Sequence, residues 1–401
     1  MSTEPVKDFA TDFDHTDEQW SADPYPIWKD LQERCPVAHT TRYGGAWLPT
    51  KHEDVSAIAR DAEHFSSRSV VVANGRPGED APPAPKGLAP PITSDPPFHA
   101  HARRLMQPVF SPKSIDALEP FVRETCAALL ENLPVSGLVD ASTAYAQNIP
   151  VAVIARMLGL SQDDGDLFRG FVHDVLDAVD LPEEERFEKL EPMVEYFIAQ
   201  LEDHIANPKD DLTSFLLTAT IEDEPLTPEH IVGSMILLVI AGIDTTWSAI
   251  GSSLWHLATH PEEAALLKAE PERLPLAIEE FLRAYAPVTM ARLVKEDFEY
   301  KGCPMKKDDW VLLPFPAANR DPEVFSDPDA VILDRDANRH AAFGLGAHRC
   351  LGSNLARMEI RVALEEWLAR TDNFTLDSEK EVLWSHGQVR GPRYLPLLIN
   401  Q

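Results

Sequence analysis

Ten residues near the C-terminal end gather the chemistry: Phe343 to Gly352 reads FGLGAHRCLG. Gly344 and Gly346 sit at alternate positions before Cys350, and Gly352 follows two residues after it. Glycines supply the backbone angles and the close approach that a tight loop beneath a flat cofactor requires. The cysteine falls at the start of a helix, where free amide groups and the positive dipole end favour a thiolate. A lone soft sulfur, with no second cysteine near, suits a single axial bond to a haem iron and donates electron density that favours O–O cleavage. The alternative is a buried structural cysteine. The glycine spacing and the adjoining His348–Arg349 pair weigh against it.

A second set lies inside a long apolar stretch, where Ala241 to Thr246 reads AGIDTT. An aspartate in a buried helix is costly unless it is paired or functional. Gly242 lets a ligand approach the backbone, and Thr245 and Thr246 can bond back to carbonyls one turn earlier and loosen the helix. An acid beside an alcohol in a widened turn is a route for protons to bound oxygen. The other reading is a kink in which Asp244 pairs with a distant basic residue. A third set, Glu280 and Arg283, is three apart and shares a helix face. As an exposed pair it would contribute only ~0.2–0.5 kcal/mol.

Helices must carry these groups. Leu226 to His260 reads as one long helix with Thr227 as N-cap and Pro228 at its first position. Its middle is apolar on all sides, as expected of a helix through a core. Pro275 to Ala286 repeats apolar residues at Ile278, Phe281, Leu282 and Tyr285, and Pro287 stops it. Further helices are expected at Phe98–Met106, at Pro120–Leu133 and from Gly352 to about Arg370. Strands are short: Ala46–Pro49, Phe298–Tyr300, Trp310–Leu313 and Tyr394–Ile399. Ser66 to Pro97 is rich in proline and glycine and reads as a long loop, either solvated or covering a substrate. The fold class is mainly α with a small β portion.

The 401 residues carry a formal charge of -30. Such a field repels nucleic-acid phosphates and an anionic membrane surface. Met1 to Asp17 lacks the apolar core of a secretory signal. The apolar run Met235–Ile243 is too short to cross a bilayer. Cys35, Cys126, Cys303 and Cys350 show no zinc or redox spacing. The expectation is a cytoplasmic protein that binds neither nucleic acid nor membrane.

These segments, in this order, resemble the cytochrome P450 family over nearly the whole chain. The cysteine loop is similar to its haem signature F-G-x-G-x-H-R-C-x-G. Cys350 then matches the proximal iron ligand, Phe343 the aromatic beside the sulfur, and His348 a propionate contact. AGIDTT resembles the distal-helix signature in register. By that resemblance Asp244 is the acid and Thr245 the alcohol of the proton-delivery pair, with Thr246 secondary and Ala241 and Gly242 beside the oxygen pocket. The E-x-x-R pattern followed by Ala-Pro-Val resembles the family's structural pair. Glu280 and Arg283 would lock the core to a later meander, with Arg335 as third partner. Asp95 to Leu105 resembles the H-x-x-x-R segment, giving His99 and Arg103 as propionate contacts, although Phe98, Ala100 and His101 depart from the bacterial pattern. Arg292, five residues after Pro287, resembles the arginine on the other propionate; its planar fork matches a carboxylate.

The resemblance implies one domain over residues 1–401, built as a triangular helical prism with a small β subdomain. It implies haem b, dioxygen as co-substrate, and insertion of one oxygen atom into a hydrophobic small molecule. No flavin or iron–sulfur module is visible, so electrons from NAD(P)H would arrive through a separate ferredoxin or flavodoxin and its reductase, serving a monomer. By analogy the substrate pocket draws on the proline-rich loop, Phe168–Leu201, Leu237–Thr245, Val288–Met290 and Gln388–Val389. Leu237, Ile240, Val288, Met290 and Val389 are its named walls, and each would also serve as ordinary core. Two rivals stand beside this reading, a peroxide-driven peroxygenase and a non-catalytic haem-thiolate sensor.

Overall fold

The computed structural model describes residues 5–72, 89–177, 181 and 183–400. Much of the expected proline-rich loop, residues 73–88, lies outside the described residues. Five helices position the groups of interest: α1 (Phe98–Met106), α2 (Asn148–Leu158), α3 (Pro228–Thr259), α4 (Leu274–Ala284) and α5 (Ser353–Arg370). Thr227 caps α3 by accepting from the His230 amide at 3.2 Å, and Pro228 enters at the first turn, where its missing N–H costs nothing.

α3 runs through the largest hydrophobic core, with Met235, Val239, Ile243, Ile250, Leu254 and Leu257 buried. By length and composition it could cross a membrane, so the estimate from Met235–Ile243 alone understated it. Yet 61% of its most apolar window is buried inside the protein. An all-round apolar helix enclosed in this way is a core element.

The β structure is small. β1 (Val37–Thr40), β2 (Ala46–Pro49), β3 (Phe65–Ser66), β5 (Thr289–Val294) and β6 (Trp310–Pro314) form one sheet in the order β1-β2-β6-β5-β3. β6 runs parallel to β2, with Trp310 opposite Ala46, and antiparallel to β5, with Trp310 opposite Leu293. On β5 Ala291 and Leu293 point into a core with Trp28, Leu31 and Trp310. Met290 and Arg292 therefore share the other face.

The expected strand Tyr394–Ile399 is in fact two. β8 (Pro392–Tyr394) pairs with Leu383–Trp384, whereas β9 (Pro396–Asn400) joins β4 (Ser136–Asp140) and β7 (Asn373–Leu376). Pro396 has no amide hydrogen, so it opens a strand and does not continue one. Between them Leu395 donates to Asp140 Oδ1 and accepts from the Ala141 amide, each at 2.9 Å.

Candidate functional site

The cysteine loop lies directly before α5. The Cys350 amide donates to the Phe343 carbonyl at 2.7 Å, closing the loop on itself. Gly344 and Gly346 take left-handed angles, φ +67° and +71°. A Cβ on Gly346 would stand 2.6 Å from the Ala59 carbonyl oxygen, so only glycine lets the loop pass that backbone. Cys350 is accessible at its surface, yet the protein packed around it desolvates the sulfur. Burial pushes the thiol up; the Gly352 amide and the charges of Arg103, Arg349 and Arg357 pull it down without overcoming burial. The helix start alone therefore does not secure a thiolate, contrary to the expectation. A bond to a cation would, because coordination deprotonates a thiol outright.

Above the loop the structure gathers His99, Arg103, Arg292 and His348. The His99 and His348 rings are 4.0 Å apart. Burial and then its cationic neighbours Arg292, His99 and Arg103 hold His348 down to about 2. Burial, Arg103 and Arg292 lower His99, partly offset by Asp95. Arg292 is buried and is lowered by that burial to about 10. Arg103 donates to the Arg349 carbonyl. His99 Nε2 is buried with no partner among the described residues. Two desolvated guanidinium groups beside two crowded imidazoles, with His99 Nε2 lacking a partner among the described residues, suit a polyanionic group.

On α3, Leu237, Ile240 and Thr245 are partly accessible and Ala241 is exposed, while Val239, Ile243, Asp244 and Thr246 are buried. Their spacing puts them on one stripe of the helix. Thr245 Oγ1 donates to the Ala241 carbonyl at 2.7 Å. The widened turn expected there does not form, because the hydroxyl bonds back without opening the helix, which is continuous through residues 241–246. Gly242 also serves otherwise than expected: a Cβ there would meet Ile154 Cδ1 at 2.5 Å, so the close approach it permits is that of α2. Thr246 is buried.

Asp244 is buried, and an Arg393 guanidinium nitrogen stands 2.8 Å from its Oδ1. Arg393 also donates to Ser248 Oγ at 3.1 Å and lies 4.3 Å over the Trp247 ring. The distant basic partner left open by the sequence thus exists. It sits on β8, and its side chain remains 27% exposed, so the pair joins a buried carboxylate to the surface.

Glu280 and Arg283 are both fully buried, which excludes the exposed-pair reading. Glu280 accepts from Arg283 Nε and Nη2 at 2.8 Å, from Arg335 Nε at 3.0 and 3.1 Å, from the Ile332 amide at 2.8 Å and from Asn338 Nδ2 at 3.1 Å. Arg283 gives its remaining protons to the carbonyls of Asn319, Pro328 and Ala330. Asn319 continues the chain of contacts. Its Nδ2 donates to the Arg283 carbonyl and its Oδ1 accepts from the Ala341 amide at 2.6 Å, two residues before Phe343. The clamp thereby sets the cysteine loop against α4.

Val288 and Met290 are partly accessible, as are Leu237 and Ile240. Val389 is buried and bridged to Val288. Gln388 is a clamp instead of a pocket group: its Nε2 donates to the Val70 and Thr289 carbonyls and its Oε1 accepts from the Val72 amide. Phe168 and Leu201 are buried in the main core, so the ends of that segment do not line a pocket. The sequence reading missed Arg393, Asn319 and Arg357. No local pattern marks them; only the demand of a buried acid for a distant cation could have pointed to Arg393.

Comparison with known proteins agrees with this geometry. The family model described as Cytochrome P450 matches residues 168–385. The chain is 33% identical to the Mycinamicin IV hydroxylase/epoxidase of Micromonospora griseorubida, over 92% of this chain and 94% of that protein. It is 35% identical to the Vitamin D(3) 25-hydroxylase of Pseudonocardia autotrophica, over 85% and 84%. The solved structure of CYP109E1 from Bacillus megaterium in complex with testosterone superposes with a TM-score of 0.86 at 30% identity, covering 94% of this chain and 98% of that one. These likenesses define the class as a haem-dependent monooxygenase. The chain belongs to the cytochrome P450 family and is a monooxygenase. The non-catalytic sensor reading is set aside.

Proposed function

We propose that this P450 is a single-domain monomer that oxidises a hydrophobic small molecule held against α3 and β5, with Cys350 as the proximal ligand of its haem. Bound haem supplies the activation of dioxygen. Phe343, Gly344 and Gly352 shape the loop beneath it, and His99, Arg103, Arg292 and His348 hold its propionates. The orphaned His99 nitrogen and the depressed cations favour that assignment. NAD(P)H electrons arrive through a ferredoxin or flavodoxin and its reductase, and the protein works in the cytoplasm. The observation that carries the substrate class is the accessible stripe Leu237, Ile240, Ala241 and Thr245, faced with apolar Leu237 and Ile240 and ending in a hydroxyl. Relatives named for mycinamicin IV and vitamin D(3), and a solved structure in complex with testosterone, support a bulky apolar ligand. A compound screen for a spin-state shift in the haem spectrum tests this. A response confined to small polar compounds would remove the reading.

Thr245 holds a proton at Oγ1 and is fixed by the Ala241 carbonyl; Asp244, paired to Arg393, is the acid behind it. Thr245→Ala should keep haem binding while product formation falls, roughly 10²-fold by the lower range for positioned proton donors. NAD(P)H consumption should continue, with the difference recovered as peroxide. Tight coupling in the variant would remove Thr245 from proton delivery. Unchanged turnover driven by peroxide alone would favour the peroxygenase reading.

The cation cluster also predicts a pH dependence. His348 and His99 have lowered values in the folded chain, so unfolded histidines bind protons that the folded ones refuse. Without haem, stability from this pair is complete above the ordinary histidine value of ~6.5 and declines as pH falls below it. Propionates would supply the missing negative charge, so the haem-loaded protein should lose less. Denaturation midpoints of both forms between pH 7.5 and about 5 check this; parallel losses would count against propionate contact.

A further inference from the structure

Behind the cysteine loop, one contact belongs neither to the loop nor to the Glu280 clamp. The Arg357 guanidinium, on α5, lies 4.4 Å from the centroid of the Phe343 ring. Its other side is gripped by Glu279 of α4: Arg357 Nε to Oε1 is 2.5 Å and Nη2 to Oε2 is 2.8 Å. His340 completes the grip. The Ala342 amide donates to its Nδ1 at 3.2 Å, leaving Nε2 to donate to Glu279 Oε2 at 3.0 Å. The His340 side chain is only 4% exposed, and its ring centroid is 6.0 Å from that of Phe343. Arg357 and Glu279 keep about three-tenths of their surface.

The bland account is a surface ion pair of little consequence. Three observations oppose it. The fork is bidentate, which fixes the guanidinium plane. Although burial works the other way, Arg357 and His340 hold the Glu279 carboxyl down to about 2, so the pair is ionised throughout the working range of pH. The guanidinium also lies over the ring of the residue whose carbonyl closes the loop on Cys350. The Phe343 carbonyl accepts the Cys350 amide at 2.7 Å, so the residue beneath the guanidinium and the cysteine are tied by a backbone bond.

We propose that Arg357 is a positioning residue that sets how readily the Cys350 site accepts an electron, acting through the Phe343 ring, with Glu279 as the counterweight that tempers its charge. This rests on Cys350 being the iron ligand. A fixed positive charge beside the sulfur favours the state carrying one more electron, and an adjacent carboxylate disfavours it. When the site is reduced, one electron arrives from an external one-electron donor. Arg357 keeps its protons and makes no new bond. The ion pair therefore has two ends with opposite effects. A merely structural clamp would not: loosening it from either end would move the loop the same way.

The test is a mediated reductive titration of the haem-loaded full chain, with the ferrous carbon-monoxide spectrum recorded for each variant. Arg357→Gln should lower the ferrous-to-ferric ratio at fixed potential by roughly tenfold, about 59 mV for a one-electron couple. Glu279→Gln should shift the ratio in the opposite direction. Arg357→Lys, which keeps the charge and loses the fork, should lie between wild type and Arg357→Gln. Shifts of the same sign in Arg357→Gln and Glu279→Gln, or none in either, overturn the proposal. If Arg357→Gln does not retain haem, Glu279→Gln decides: a rise supports the proposal, and no change or a fall overturns it. Loss of the thiolate type of spectrum from the wild-type protein would instead refute the ligand assignment, a separate failure.

Discussion

Cys350→Ala should abolish the carbon-monoxide spectrum typical of thiolate-ligated ferrous haem completely. Among the described residues no other group can take over the bond. Cys126 is buried with its thiol pushed up to about 12, by burial first. Cys35 and Cys303 are partly buried elsewhere, Cys303 also raised by burial. No cluster of three or more potential metal ligands exists among the described residues. The loop itself should survive the change, since the 2.7 Å bond that closes it uses the backbone of residue 350 and not its side chain. Far-ultraviolet circular dichroism of the variant should thus match the parent. Persistence of the thiolate spectrum would show the assignment to be wrong.

Glu280→Ala should produce the largest loss of stability. The substitution leaves Arg283, fully buried, and Arg335, nearly so, without the carboxylate that both share. Removing one partner from a buried ion pair costs about 3–5 kcal/mol, because the remaining charge is desolvated and uncompensated. Against a typical stability of about 5–15 kcal/mol that is a large fraction. The effect should reach the haem as well, because Asn319 links the Arg283 carbonyl to Ala341 at the mouth of the cysteine loop. Denaturant unfolding of the loaded protein measures the first effect and haem retention the second. A loss no larger than that of an exposed helix pair, ~0.2–0.5 kcal/mol, would mean the clamp does not bear on the fold.

Much of this was legible before any coordinates. Thr227-Pro228 marks the start of α3, because capping acts within one turn, whereas Pro287 bounds α4 only loosely: the helix stops at Ala284, two residues short of the expected end. Glycine at 344 and 346 announced a loop of unusual backbone angles for the same local reason. Where tertiary packing competes with a local signal, the reading failed. Gly242 suggested room for a ligand, and α2 occupies it. The thiol at a helix start suggested a thiolate, and burial outweighs the dipole. Tyr394–Ile399 looked like one strand, and two sheets divide it at Pro396.

The sequence by itself determined which residues share a face and where elements begin and end. Those properties follow from the 3.6-residue and two-residue backbone periods, which need only neighbours in the chain. For the same reason it placed Cys350 in a glycine-rich loop and Asp244 next to Thr245 on one helix. Only the tertiary structure decided the partners. With 66 acidic and 36 basic side chains, spacing cannot say that Asp244 meets Arg393 or that Glu279 turns Arg357 onto Phe343. Those pairs span 149 and 78 residues. They exist because burial of the helices brings a cation within reach of each carboxylate, and an unpaired charge there would be too costly to keep.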